Sequence, residues 1–228
     1  MKSEPYNCKI IDTYGSKKNT VHRVECKGEY YIIKKYSEEF IHGLLVEETI
    51  LNECSKIEIG APVVIERKKD TLILEYIPGS NCKILFDSEG KEKIKRMLSQ
   101  IAAWLDHFHR SFNYKKSRGD CILANFIQCD SRIYGIDFEE SGGDYLRDIG
   151  DMCTSILRME PSFTKENFTF AEYFIDEYFF NSDLSRRDVT ASVVGSMRHY
   201  SKYGSTGKKM KRWSEKIKEE GLNNIFQN

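Results

Sequence analysis

Residues 118–127 read RGDCILANFI, and residues 133–140 read IYGIDFEE. Asp120, Asn125 and Asp137 therefore stand among apolar residues that tend to be buried. A buried carboxylate is costly unless it is paired or bound to a metal ion, so the pattern indicates a functional site. Phosphoryl transfer needs such a set, because one carboxylate accepts the proton of the attacking hydroxyl while an asparagine and a second carboxylate hold Mg²⁺ against the phosphates. The alternative is that two loop acids and an asparagine cap turns.

The residues before these two segments have mainly the pattern of strands. Short runs of β-branched and aromatic residues are separated by polar turns, and one run with helical periodicity interrupts them. We predict strands over residues 6–14, 21–26, 29–36, 63–65 and 71–75, and a helix over residues 38–56. Together these elements predict a β-rich first lobe, residues 1–77.

The strongest break in the chain is Pro78-Gly79-Ser80-Asn81. After it we predict a long amphipathic helix over residues 89–112, short apolar runs around polar turns over residues 120–138, and helices from about residue 145 onward. The second lobe, residues 78–228, is therefore mainly helical, and the whole chain has an α+β, two-lobed architecture. Clefts between such lobes are common binding places for small molecules.

The pattern G-D-x-x-x-x-N followed by I-D-F-E resembles the catalytic loop and the metal-binding strand end of the protein-kinase-like superfamily. It is particularly similar to the pattern of aminoglycoside phosphotransferases and choline kinases. By this resemblance Asp120 is the catalytic base, Asn125 is a metal ligand and Asp137 is the main metal ligand. The resemblance implies a two-lobed protein-kinase-like fold, with ATP and Mg²⁺ as cofactors.

The resemblance extends over residues 10–155 and includes a lysine on a strand. Lys34 ends the run YYIIK and matches the lysine that contacts the α- and β-phosphates of the nucleotide. Glu47, on the helix that follows, best fits the glutamate that orients this lysine, and Glu48 is the alternative. The alternative is that Lys34 is a strand-end lysine in solvent, and Lys35 beside it is the natural control.

Residues 72–79 resemble the hinge between the lobes, where backbone groups of Glu75 and Ile77 would pair with the adenine edge. The alternative for this segment is a strand followed by a turn. The phosphate loop of the first lobe contains only Gly15 rather than G-x-G-x-x-G. We expect backbone amides around Ser16–Asn19 to cap the phosphates.

Three further residues have structural rather than chemical interpretations: two match the family and one departs from it. His109 ends the long helix and is interpreted as a packed structural residue rather than an acid or base. Asp148, in the segment RDIGD, would brace the backbone of the catalytic loop through hydrogen bonds. Arg118 stands where many relatives have histidine.

The segment after Asp137 bears on the acceptor. Only ten residues separate Asp137 from Asp148 and no A-P-E segment follows, so a conventional activation loop with a peptide-docking platform does not fit. We therefore predict transfer to a hydroxyl of a small molecule. Six acids against one arginine in residues 137–151 favour a cationic acceptor, aminoglycoside- or choline-like, although several of these acids could serve only the metal and the fold. Aromatic residues crowd residues 168–180 and could form a wall for an amine or belong to the core.

Composition narrows the function classes. The 228 residues carry 35 Lys+Arg and 35 Asp+Glu, so no broad cationic face favours nucleic acid. No apolar run approaches the length of a membrane span and residues 1–10 do not resemble a signal peptide, so we expect a soluble, cytoplasmic protein with no membrane partner. The seven cysteines form no C-x-x-C pair, and we expect them to be reduced and mostly buried.

Two other functions remain open from the sequence. A KEOPS/RIO-type atypical protein kinase or ATPase fits the short chain and a loosely matching basic segment near residues 207–212, and it would require a protein partner. A non-catalytic pseudokinase scaffold would have no chemical need for Lys34, Asp120 and Asp137 together.

Overall fold

The computed structural model describes residues 8–16, 18–179, 185–203 and 206–226. The first part of the chain forms a five-stranded antiparallel sheet in the order β1-β2-β3-β5-β4. Its strands are β1 (Lys9–Tyr14), β2 (Asn19–Cys26), β3 (Glu29–Tyr36), β4 (Val64–Lys68) and β5 (Thr71–Glu75). All five predicted strands are present. The predictions for β3 and β5 match, β1 and β2 differ only at their starts, and β4 extends three residues beyond the predicted 63–65. Residues 6 and 7 of the first prediction lie outside the described residues.

Helix α1 (Ile41–Lys56) connects β3 to β4 and begins after a 3₁₀ turn at Glu38–Phe40. It packs against β3, β4 and β5. Four apolar residues of α1 are buried, and Glu47 is buried with them: Leu44, Ile50, Leu51 and Cys54. A charged residue buried on an otherwise apolar helix requires a partner, and Glu47 has one in β3, as described below.

The second part of the chain is mainly helical. Its helices are α2 (Cys82–Ser88), α3 (Lys91–Ser111), α4 (Leu146–Leu157), α5 (Lys165–Phe179), α6 (Arg186–Tyr200) and α7 (Gly207–Glu220). The predicted stripe of α3 is buried throughout and forms the centre of the core: Ile94, Leu98, Ile101, Leu105 and Phe108. Helix α3 packs against α5, and α4 lies between α5 and α6. Within the described ranges, no helix is long and apolar enough to cross a membrane.

A small sheet combines one strand that precedes α2 with two strands that lie between α3 and α4 in the chain. It consists of β6 (Ser80–Asn81), β7 (Phe126–Cys129) and β8 (Arg132–Gly135) in the order β6-β7-β8. The break predicted at residues 78–81 thus contains a short strand, and it is followed by α2, which the sequence analysis did not predict. Asn81 caps α2, since its side chain accepts a hydrogen bond from the backbone N–H of Lys83.

Gly60 lies in the loop between α1 and β4 and contacts the second part of the chain. Its carbonyl oxygen accepts hydrogen bonds from Trp104 Nε1 (2.8 Å) and from the backbone N–H of Gly135 (2.9 Å). A β-carbon at Gly60 would overlap the carbonyl oxygen of Ile133, so a larger residue does not fit. This contact fixes the loop after α1 on α3 and β8.

The expectation that all cysteines are reduced is wrong for two of them. Cys8 and Cys26 form a disulfide, because β1 and β2 are antiparallel and Lys9 lies opposite Glu25, which brings the neighbouring residues Cys8 and Cys26 together. A search for C-x-x-C spacing does not detect a pair brought together by hairpin register. The other five are free, and four of these are buried: Cys54, Cys82, Cys121 and Cys153.

Candidate active site

A cavity of about 860 Å³ lies between the first sheet and the small sheet. Eight residues assigned to the site from the sequence line it: Ser16, Lys34, Glu47, Glu75, Ile77, Asp120, Asn125 and Asp137. They come from positions up to 121 residues apart, since the first is Ser16 and the last is Asp137. The fold therefore brings together residues that the sequence connected only through family resemblance.

Lys34 is held between carboxylates from two parts of the chain. Its Nζ lies 2.7 Å from Glu47 Oε2 and 2.6 Å from Asp137 Oδ1, and Glu139 Oε1 is 3.7 Å away. Burial alone would lower the pKa of Lys34, but the charges of these three acids outweigh burial and raise it. Lys34 is therefore charged, and it points to the cavity beside Asp137.

The neighbouring residues resolve two alternatives. Glu48 pairs instead with Arg67, at 2.7 Å, so Glu47 is the partner of Lys34. Lys35 lies 3.7 Å from Asp70, and its side chain is 62% exposed, against 7% for Lys34. The interpretation of Lys34 as a solvated strand-end lysine is therefore wrong.

Glu47 also reaches the segment that contains Asp137. Its Oε1 accepts a hydrogen bond from the backbone N–H of Phe138 (3.2 Å), and its Oε2 accepts one from the hydroxyl of Tyr36. Burial and the charge of Glu47 raise the pKa of Tyr36, so its hydroxyl stays protonated as a donor. Sequence analysis missed Tyr36, although it occupies the last position of the strand that carries Lys34.

Asp120 and Asn125 also line the cavity and are hydrogen-bonded to each other. Asn125 Nδ2 donates to the backbone oxygen of Asp120 (2.9 Å) and to its Oδ2 (3.1 Å). The second carboxylate oxygen, Oδ1, accepts a hydrogen bond from the hydroxyl of Tyr200 (2.7 Å), a residue that sequence analysis also missed. Both Asp120 (φ 38°) and Asp137 (φ 63°) adopt left-handed backbone conformations, which are uncommon outside glycine and concentrate at functional sites.

Arg118 joins the loop of Asp120 to the turn of Asp137. Its Nη1 donates to the backbone oxygens of Gly119 and Asp120, both at 2.9 Å, and its Nη2 donates to those of Ile136 and Asp137. The guanidinium is fully buried, and its carbon lies 4.9 Å from the centre of the Phe138 ring. A planar group with several donors can satisfy four carbonyls at once, which a histidine cannot.

Asp148 of α4 and His109 of α3 hold the loop of Asp120 in place. The carboxylate of Asp148 accepts hydrogen bonds from the backbone N–H groups of Arg118 and Gly119 and from the hydroxyl of Ser117. His109 Nε2 lies 2.9 Å from Asp148 Oδ2, and neither side chain is exposed. The bracing role expected of Asp148 and the structural role expected of His109 agree with these contacts.

The turn at Ser16 is held by hydrogen bonds between its own residues. Ser16 Oγ accepts hydrogen bonds from the backbone N–H groups of Lys18 (3.4 Å) and Asn19 (3.1 Å), so these amides point to the serine. Lys17 lies outside the described residues. Lys18 Nζ pairs with Glu140 (2.6 Å), and Asn19 Nδ2 donates to Glu139 Oε2 (3.0 Å). These contacts fasten the β1–β2 turn over the segment that follows Asp137.

The hinge segment offers one free donor to the cavity. The backbone N–H of Glu75 donates to Val63 O (2.9 Å), and the carbonyl of Ile77 accepts from Gly79 N–H (2.9 Å). Among the described residues, the backbone N–H of Ile77 has no hydrogen-bond partner. A donor at the wall of a cavity, with apolar Ile32 and Leu74 beside it, suits a flat heterocycle with a nitrogen acceptor.

The acidic rim predicted over residues 137–151 is partly paired in the folded protein. Glu139 and Glu140 contact Asn19 and Lys18, as described above, and Asp148 is buried beside His109. Asp151 accepts a hydrogen bond from Ser196 (2.6 Å) and lies 3.3 Å from Arg147 Nε. Cations therefore offset only part of the charge that favoured a cationic acceptor: Lys18 at Glu140, Lys34 at Asp137 and Arg147 at Asp151.

The aromatic residues of α5 belong to the core. Four of the predicted set are buried: Phe168, Phe170, Phe174 and Tyr178. None of the described aromatic residues of α5 lines the cavity, so they form no wall for an acceptor amine there. Phe180 lies outside the described residues.

The donor set of the cavity suits Mg²⁺. Asp137 offers a carboxylate, and Asn125, whose nitrogen is committed to Asp120, offers its amide oxygen. In the described part of the chain, no group of three or more His, Cys, Asp or Glu residues could hold a metal ion alone. Mg²⁺ commonly binds through one or two carboxylates together with substrate phosphates, so two protein oxygens are compatible with it.

Comparisons with known proteins identify the fold. No family model matches the chain. A probable serine/threonine-protein kinase BUD32 homolog from Archaeoglobus fulgidus is 26% identical over 109 residues, which cover 47% of this chain and 51% of the relative, about half its length.

Solved structures match over most of the chain. A choline/ethanolamine kinase family protein from Mesorhizobium loti has a TM-score of 0.69 at 12% identity and covers 98% of this chain and 94% of its own. An aminoglycoside phosphotransferase from Streptomyces rimosus, in complex with ADP and streptomycin, has a TM-score of 0.60 at 13% identity, with 76% and 88% covered. The chain thus has the two-lobed, protein-kinase-like fold of these structures.

Proposed function

We propose that the protein is an ATP- and Mg²⁺-dependent phosphotransferase that moves the γ-phosphate to a hydroxyl of a small molecule. The observation that carries the proposal is the arrangement of one cavity, which is lined both by Asp137 with the Lys34–Glu47 ion pair and by the hydrogen-bonded pair of Asp120 and Asn125. Residues 1–77 would form the nucleotide-binding lobe, and residues 78–228 would carry the groups for transfer.

We assign a role to each residue on the basis of its surroundings. Lys34, kept charged by three carboxylates, would bind the α- and β-phosphates, and Glu47 holds it in place. The free N–H of Ile77, with the carbonyl of Glu75, would pair with the adenine edge, and the turn at Ser16 would cover the phosphates.

Asn125 and Asp137 would hold Mg²⁺, which neutralises the charge of the phosphates during transfer. The charge of Lys34, set against burial, keeps the pKa of the Asp137 carboxyl below its usual range, so it is ionised and able to bind a cation. Asp120 would orient the acceptor hydroxyl and accept its proton, as a base within hydrogen-bond reach of the nucleophile must.

The proposal does not depend on a cationic acceptor, because Lys18, Lys34 and Arg147 offset part of the acidic charge near the site. The test is phosphate transfer from ATP to a panel of amino alcohols, aminoglycosides and neutral sugars, with wild type and Asp120→Asn. We expect transfer to at least one acceptor by wild type and a loss of about a hundredfold or more in the variant. Nucleotide binding should stay nearly intact, and equal loss of binding and transfer would contradict the role of Asp120.

A second candidate function is favoured by the similarity to the BUD32 homolog, which covers 47% of this chain. In this case the protein would be an atypical protein kinase or ATPase that acts with a protein partner. ATP hydrolysis without any acceptor, together with failure of the whole small-molecule panel, would favour it. Nucleotide binding without turnover would favour a pseudokinase scaffold.

A further inference from the structure

Both oxygens of the Asp120 carboxylate are already engaged. Oδ2 accepts from Asn125 Nδ2 (3.1 Å), and Oδ1 accepts from the hydroxyl of Tyr200 (2.7 Å). In the described part of the chain, Tyr200 carries the one hydroxyl that is hydrogen-bonded to this carboxylate. A base that is to deprotonate an acceptor needs an oxygen that accepts from the acceptor hydroxyl. The hydroxyl of Tyr200 occupies that position.

The tyrosine is held there by the packing of α6 on α4. Ser192, Ser196 and Tyr200 are four residues apart, so they lie on one face of α6. Ser192 Oγ donates to the carbonyl of Leu146, and Ser196 Oγ donates to Asp151, both at 2.6 Å. A side chain at Gly150 would overlap Ser192, which shows how closely the two helices approach. Tyr200 is thus presented to Asp120 by a fixed element.

A cation lies over the ring of the tyrosine. The guanidinium carbon of Arg158 is 5.5 Å from the centre of the Tyr200 ring. Across the described ranges, no carboxylate pairs with Arg158. Arginine is well suited to bind a phosphate group, and an arginine without an acidic partner is available for one.

The geometry points to Tyr200 as an intramolecular phosphate acceptor of this protein, an inference that rests on the proposed function. The phenolic oxygen of Tyr200 would attack the γ-phosphorus of ATP, the bond from that phosphorus to the bridging oxygen of ADP would break, and the phenolic proton would pass to Asp120. The product carries a doubly charged group beside the Asp120 carboxylate. Repulsion would move the phosphotyrosine off Asp120 and toward Arg158, which opens the base to an external acceptor.

The test is mass spectrometry of the full chain after incubation with Mg-ATP. We expect one phosphate per chain on Tyr200, formed at a rate that does not depend on protein concentration, since the reaction is intramolecular. Tyr200→Phe should remove the phosphate, and Asp120→Asn should slow its formation by about a hundredfold or more. Tyr203→Phe, at an exposed tyrosine just after the end of α6, is the matched control and should be phosphorylated like wild type.

Parallel measurements of Mg-ATP binding and ADP release separate this inference from the proposed function. If Mg-ATP binds and ADP forms while Tyr200 stays unmodified, the inference is wrong and the proposed function stands. Phosphate on another residue, or a rate that rises with protein concentration, also overturns it. Faster ADP release by Tyr200→Phe without modification of wild type would make Tyr200 a gate rather than an acceptor. Failure of Mg-ATP to bind would overturn both.

Discussion

Lys34 lies beside three carboxylates in a part of the protein where its side chain is 7% exposed. Removing one partner of a buried ion pair leaves the other charges uncompensated, which costs about 3–5 kcal/mol. We therefore expect Lys34→Ala to lower the free energy of unfolding by about 3 kcal/mol or more and to abolish nucleotide binding.

The control is Lys35→Ala, because Lys35 is 62% exposed. Its free energy of unfolding should stay within about 0.5 kcal/mol of wild type, as is usual for surface substitutions. Urea unfolding of both variants, with and without nucleotide, measures the difference. Similar values for the two lysines would contradict the assignment of Lys34.

Asp151 gives a prediction that depends on pH. Burial raises the pKa of Asp151 to about 6, from 3.8 in the unfolded chain, despite the hydrogen bond from Ser196 and the charge of Arg147. Between these pH values the folded protein binds more protons than the unfolded protein, so this residue lowers stability as pH rises from about 4 to about 6. In the Asp151→Asn variant the side chain at this position is an amide, which does not titrate. The free energy of unfolding of this variant minus that of wild type should therefore increase by up to about 3 kcal/mol between pH 4 and 7.

Urea unfolding at several pH values tests this expectation. Asp87→Asn, at an exposed position of α2, is the matched control, because it replaces an aspartate that is not buried. A constant difference between Asp151→Asn and wild type across the range would show that folding does not raise the pKa of Asp151.

At the scale of elements, Arg118 joins the loop of Asp120 to the turn of Asp137 through four backbone oxygens. A lysine has one nitrogen at its end and cannot reach all four, so some of these buried carbonyls would lose their donors. We expect Arg118→Lys to lower the free energy of unfolding by about 2–4 kcal/mol, the cost of one or two unsatisfied buried groups. Arg132→Lys, on the exposed edge of β8, should have little effect. Equal effects in urea unfolding would contradict the bridging role.

The elements themselves were predictable where the signal is local. The β-branched run at Glu29–Tyr36 and the helical stripe from Ile94 to Phe108 each depend on neighbouring residues, and both predictions agree with the structure. Helix α2 was missed because a seven-residue helix directly after a Pro-Gly break has too few turns to show a period. Tyr200 gave no signal, since it reaches Asp120 only through the packing of α6 on α4.

At the scale of the whole molecule, the relative placement of the two parts depends on close contacts such as that at Gly60. A β-carbon there would overlap Ile133 O, and the carbonyl of Gly60 accepts bonds from Trp104 and Gly135. We expect Gly60→Ala to lower the free energy of unfolding by about 1–3 kcal/mol, as overpacking does. At Gly90 an added β-carbon meets nothing within 4 Å, so Gly90→Ala is the control. A neutral result for Gly60→Ala in thermal unfolding would show that this contact adapts easily.

Order along the chain was also enough to predict the two-lobed fold. Lys34, Glu47, Asp120 and Asp137 occur in the order of the family, and the structure places them around one cavity. The charge of the site was not predictable, because the partners of Glu140 and Asp148 lie 122 and 39 residues away. Nor was the disulfide, which depends on the register of β1 against β2.

The most direct test of a metal–nucleotide site is thermal unfolding with ATP, in the presence and absence of Mg²⁺, for wild type and Asp137→Ala. At about a hundredfold excess over Kd, binding adds about 2.7 kcal/mol, which raises the midpoint by several degrees. Asp87→Ala, an exposed aspartate, is the control and should behave like wild type. We predict a shift for wild type that requires Mg²⁺ and is lost in Asp137→Ala. An equal shift in the variant, or no shift in wild type, would contradict the central claim.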